Sequence, residues 1–214
     1  MSEGIVTLNY VRSAPFLILC AASFCAAPLL ATQPPSPSSI QITAVVLPEG
    51  RYSAVAVREM GREAANILKQ SGVTLRWRVG TPTESINGRL VVVKLRGSCD
   101  MDGSPTFLVP GPLGWSHEVD GTILPFSDLA CDNIRGAVHA AVAGDNPVRG
   151  NILLGRAMGR VLAHELYHIV ADTSEHGRTG VAQEALSPQE LTSGRLELQA
   201  PEVAAVQSGI DRER

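Results

Sequence analysis

The run G-R-V-L-A-H-E-L-Y-H-I-V-A-D-T-S-E-H-G, from Gly159 to Gly177, constrains this chain more than any other stretch. His164 and His168 stand four residues apart with Glu165 between them, in a segment whose apolar spacing predicts a helix from about Val148 or Asn151 to about Val170. Asn146 or Asn151 can cap that helix, and Pro147 is tolerated at an early position. Residues four apart on a helix lie one turn above each other, so both imidazoles can reach one zinc ion at about 2.0–2.1 Å. Glu165 flanks such an ion without binding it. There it can take a proton from a metal-bound water and later pass it to a leaving amine.

A helix of this kind has to bury its apolar side, and Gly155, Ala157, Gly159 and Ala163 allow it to pack closely against a sheet. The preceding sequence supplies one. Ile40 to Leu47 is rich in β-branched residues and reads as a strand, and Ser53 to Gln70 carries helical spacing at Val57, Met60, Ala64, Ile67 and Leu68. Val73 to Val79 alternates apolar and polar residues, and the strand from Arg89 to Gly97 is more fully apolar. Between Cys99 and Cys131 the chain reads as Gly- and Pro-rich loop with one strand near residues 115–126, where Pro125 argues for a sheet edge. The expectation is an α+β fold, a small mixed β-sheet with an antiparallel edge strand, packed on two main helices. A peptide can add to such an edge as an extra strand, so a peptide or protein substrate is the expected partner.

At 214 residues with 44% hydrophobic content, the chain suits one domain. A net charge of -3 with no block of like charges excludes a nucleic-acid surface. Residues 1–31 read as a secretory signal peptide, apolar from Ala14 to Ala31 and ending in small residues; an uncleaved membrane anchor is the alternative. A Pro/Ser linker at 32–39, a domain at 40–198 and a polar C-terminal tail at 199–214 follow. The expected location is secreted or periplasmic, with no membrane contact after cleavage and a monomeric state. Cys99 and Cys131 remain in the mature chain, and an oxidising compartment favours a disulfide between them over two free thiols.

H-E-L-Y-H after a small mixed sheet resembles the zincin metallopeptidases, and the nearby third histidine makes the chain metzincin-like. The resemblance implies peptide-bond hydrolysis with one Zn2+ ion, with His164 and His168 as ligands and Glu165 as general base. The metzincin pattern places a glycine and a third histidine where this chain has Ala171 and Ser174. The next histidine is His176, no methionine follows Met158 to form a Met-turn, and no tyrosine follows Tyr167 to stabilise an oxyanion. The competing reading is a non-catalytic secreted module that binds zinc or peptide.

His176 can serve as third ligand only if the helix ends first, because eight more helical residues would carry it about 12 Å from His168. Asp172, Thr173 and Ser174 are poor helix interior, and Gly177 permits a reversal. The rival ligands are carboxylates: Glu184, then Asp172 or Glu175. Glu190 is better explained by S-P-Q-E, in which Ser187 caps a helix and Glu190 completes the capping box. His117 on the edge strand is a weaker candidate for the cleft, and His139 has no partner in view.

Overall fold

A computed structural model describes residues 39–81, 85–86, 88–102, 110–142 and 146–212. The expected leader, and the linker before Ser39, lie outside the described residues. β-branched Ile40–Pro48 forms β1, and Ala54–Leu68 forms α1, capped by Ser53, whose hydroxyl accepts from the Ala56 amide at 3.4 Å. A 3-10 turn, Lys69–Ser71, is stopped by Gly72 in the left-handed region at φ 84°. The strands β2 (Val73–Val79) and β3 (Arg89–Arg96) flank β1, both parallel to it. β4 (Gly114–Val119) and β5 (Thr122–Ala130) form a hairpin across Asp120 and Gly121, both at positive φ as a two-residue hairpin turn requires. The order β2-β1-β3-β5-β4 leaves β4 as the antiparallel edge of a mixed sheet, so the α+β architecture inferred from the sequence is present.

Pro125 is not on the edge. It lies in β5, inside the sheet, opposite the register shift between Ser116 and Glu118 and just before the β3–β5 ladder begins at Phe126. A bulge is the other place where a sheet tolerates a residue with no amide hydrogen. The edge strand is therefore Gly114–Val119.

The helix α2 (Cys131–Val142) occupies a stretch to which the sequence pattern had assigned no element. Ile134 and Val138 bury one side of it, and a disulfide joins Cys131 to Cys99. The long helix α3 is Pro147–Ala171, capped by Asn146, whose side chain accepts from the Arg149 amide at 2.9 Å. Gly155 and Gly159 face α1 rather than the sheet. A Cβ on Gly155 would lie 2.4 Å from the Ala56 carbonyl oxygen, and one on Gly159 would lie 2.7 Å from that of Met60. Only glycine lets the two backbones approach this closely. Leu154, Met158, Leu162 and Ile169 are fully buried with Ile42, Val93 and Leu95 of the sheet in one core. Arg160 is buried with them; its Nε meets Glu63 of α1 at 2.9 Å and its Nη2 meets the Gly194 carbonyl at 2.7 Å.

The short helix α4 (Pro188–Thr192) carries the expected capping box. The last segment is not a polar tail. Ala200–Arg212 forms α5, which buries Val206 and Ile210, and Arg212 donates to the Ala171 carbonyl at 2.7 Å. Apolar spacing at 203, 206 and 210 accounts for this, although the charged residues between them hide it in the composition. Among the described residues, no helix is long and apolar enough to cross a membrane.

Candidate metal centre

His164 and His168 project from one side of α3 one turn apart, and the helix stops immediately after them. Asp172 takes the left-handed conformation, φ 49° and ψ 58°, and the Thr173 amide donates back to the His168 carbonyl at 3.2 Å. An aspartate tolerates this conformation better than most residues because its short side chain can be bonded locally. Here Oδ1 accepts from the Ile123 amide of β5 at 3.1 Å. The reversal therefore belongs to Asp172. Gly177 serves a different purpose: its φ is not positive, and a Cβ there would stand 2.5 Å from Glu202 Oε1 of α5.

This break returns His176 to the helix-borne pair. The ring centroids are 4.7 Å apart for His164 and His168, 5.2 Å for His164 and His176, and 4.8 Å for His168 and His176. The candidate ligand atoms of the three all lie within 4.8 Å of one another, so the group could hold a metal ion. Glu184, Glu175 and Asp172 are not members of that cluster. Asp172 is engaged with Ile123, and Glu190 is occupied by its capping box.

The donor set suits a cation. His164 Nδ1 lies 2.9 Å from the Val181 carbonyl and His168 Nδ1 lies 2.7 Å from the Thr173 carbonyl. A carbonyl only accepts, so each Nδ1 carries the hydrogen and each neutral ring presents an Nε2 lone pair. Burial lowers the His164 pKa to about 4, against the opposing hydrogen bond to Val181 and with help from His168 and His176. Burial, with His176, likewise lowers that of His168 against its bond to Thr173. Both rings are then neutral at physiological pH, and their Nε2 atoms stand 3.0 Å apart. Two lone pairs that close repel, and a cation between them removes the conflict. In a tetrahedral set at 2.0–2.1 Å, the nitrogen–nitrogen separations are about 3.3–3.4 Å, close to what the pair already shows.

Glu165 is 4% exposed and points toward β4. Its Oε2 accepts from the Ser116 hydroxyl at 2.7 Å, yet burial outweighs that bond and raises its pKa to about 7. A cleft of about 320 Å3 opens over the rings between Trp115, Ser116 and Glu118 of β4 on one side and Ser174 and Glu184 on the other. A second hollow of about 280 Å3 shares His164 and Glu165 and is walled by Leu113, Ala137, Val161 and Leu186. No family model matches the chain, and no curated protein matches it.

Several participants were not foreseen. Ser116 was visible only as a small polar residue on the half of β4 that faces α3. The Val181 and Thr173 carbonyls leave no mark in a sequence. His117 does not enter the cleft, because its Nε2 is bonded to Asp128 Oδ2 at 2.6 Å across the hairpin. His139 lies in the last turn of α2, outside the histidine cluster.

Proposed function

We propose that the chain is a zinc-dependent metallopeptidase, zincin-like and closest in plan to the metzincins, exported to a secreted or periplasmic location. The observation that carries the reading is the convergence of His164, His168 and His176 beside the buried carboxyl of Glu165. Among the described residues the cluster has three members, which leaves a coordination position for water, as in a catalytic rather than a structural zinc site. The disulfide between Cys99 and Cys131 fits an oxidising compartment.

His164, His168 and His176 would hold one Zn2+ ion, which supplies a Lewis acid for the scissile carbonyl and a water of lowered pKa. Glu165 takes the proton of the attacking water and returns it to the departing amine. Burial raises the carboxyl pKa above its ordinary value, the direction that suits a group which must both accept and release a proton. The unpaired side of β4 borders the cleft and offers main-chain groups to an extended peptide, which this binding mode requires. The test is peptide cleavage by the metal-loaded protein and by Glu165→Gln. Loss of cleavage with metal content retained supports the reading; cleavage undiminished in the variant overturns it.

A further inference from the structure

Ser116 and His117 are neighbours on β4, yet their side chains are fixed on opposite faces of the sheet. The Ser116 hydroxyl meets Glu165 Oε2 at 2.7 Å on the side of α3. His117 Nε2 meets Asp128 Oδ2 at 2.6 Å on the other side, and Arg96 Nε donates to Asp128 Oδ1 at 2.5 Å. Arg96 in turn reaches Glu49 through Nη1 at 2.8 Å. Between the pairs Ser116–Ser127 and Glu118–Ile123 the β4–β5 register shifts, so that His117 alone stands opposite Leu124, Pro125 and Phe126, and the bulge lies on β5. Bulges beside active sites re-aim side chains. A slip of one residue exchanges the faces of a strand, which here would turn Ser116 away from Glu165.

The approach of β4 to α3 is close. A Cβ on Gly114 would lie 2.7 Å from Val161 Cγ1 and 3.0 Å from Glu165 Oε1, so Glu165 is enclosed between helix and strand. The terminal torsion of a glutamate is broad and twofold, so enclosure alone does not set which oxygen faces the cleft. A hydroxyl held at Oε2 does.

We propose that His117, Asp128 and Arg96 form an anchor on the outer face of the sheet that fixes the register of β4 against the β5 bulge, and that this register holds Ser116 as a positioning residue for Glu165. The proposal rests on the reading of Glu165 as general base. Asp128 is 1% exposed, and a buried carboxylate needs partners from two strands to stay in place, which is why it can tie β4 to β3.

The test compares Ser116→Ala, Ser116→Thr, Asp128→Asn and the Ser116→Ala/Asp128→Asn double variant in the zinc-loaded full chain on a fluorogenic peptide. Ser116→Ala is expected to lower kcat about tenfold with KM little changed, the scale of one hydrogen bond to a charged group, and Ser116→Thr to recover most of it. Asp128→Asn lowers kcat as well, and in the Ser116→Ala background it adds less than about twofold, because the anchor acts through Ser116. Amide exchange of the metal-free protein gives a second readout: Asp128→Asn quickens exchange over residues 116–119, and Ser116→Ala does not. Full kcat in Ser116→Ala, independent effects in the double variant, or unchanged exchange in Asp128→Asn overturns the proposal. If the unaltered chain cleaves nothing, the base assignment fails on its own, and the exchange result still decides whether the anchor exists.

Discussion

The two halves of the histidine cluster are built differently. His164 and His168 ride on a buried helix, each with Nδ1 tied to a carbonyl, and His168 is 6% exposed. His176 is exposed, on a short loop that is held from outside by Asp172 on Ile123, by the Gly177 amide on the Ala182 carbonyl at 2.8 Å, and by Glu202 behind Gly177. The helix half is preorganised by the core, whereas the loop half is only as well placed as its tethers. Preorganisation of this kind governs how tightly a site binds and how accurately it aligns reacting groups.

The largest effect expected from breaking this arrangement lies in the helix half. Glu165→Gln keeps shape and burial but removes the proton acceptor, so kcat is expected to fall by about 10²–10⁴, the usual contribution of general acid–base catalysis. Stopped peptide assays with parallel metal analysis check it. The ligands separate the halves next. His168→Ala is expected to abolish stoichiometric zinc binding, whereas His176→Ala leaves two preorganised nitrogens and a weaker, measurable site. Competition with a chromogenic chelator ranks them, and equal losses for the two variants would remove the distinction between the halves.

The same division explains what the sequence disclosed. H-E-L-Y-H was readable because helical spacing alone puts two imidazoles and a carboxyl on neighbouring positions. The helix end was readable too, since Asp172 to Ser174 are poor helix formers. Which residue would turn the chain was not readable, because Asp172 is held there by Ile123, 49 positions away. The helix α2 was hidden by Gly136 and by its Gly- and Pro-rich approach, and α5 by its charged residues, although both show buried apolar residues at helical spacing once folded. Ser116 could not be singled out from the strand pattern, since its role arises from its register against β5 and from α3.

Asp172 offers a smaller test aimed at the tethers. Asp172→Ala loses the bond to Ile123 and also forces a Cβ residue into the left-handed region without local compensation, about 1–2 kcal/mol for the backbone and about 1 kcal/mol for the bond. Asp172→Gly loses the bond alone. Urea denaturation of both is expected to rank alanine below glycine below the unaltered chain, and zinc affinity should fall in the same order through His176. A stability loss with unchanged zinc affinity would show that the loop does not depend on this tether.

Glu190 gives the gentlest way to loosen the loop half. Its carboxylate accepts from the Ser187 hydroxyl at 2.6 Å, from Gln183 Nε2 at 2.7 Å and from the Ser187 amide at 2.9 Å, and these bonds, that of Ser187 first, hold its pKa below the ordinary value. Gln183 borders the same hollow as His164 and Glu165, so the bond carries the cap's order toward the site. A lowered folded-state pKa means that the stabilisation is present above the unfolded value, near 4.3, and is lost as pH falls through the folded value. The charge is only partly shielded from water, so the contribution is below about 1 kcal/mol. Thermal melts of the unaltered chain and Glu190→Gln are therefore expected to differ slightly at pH 7 and to converge as the pH falls through the folded-state value. A gap that persists undiminished in acid would assign the effect of the substitution to side-chain shape, with no part for the carboxylate charge.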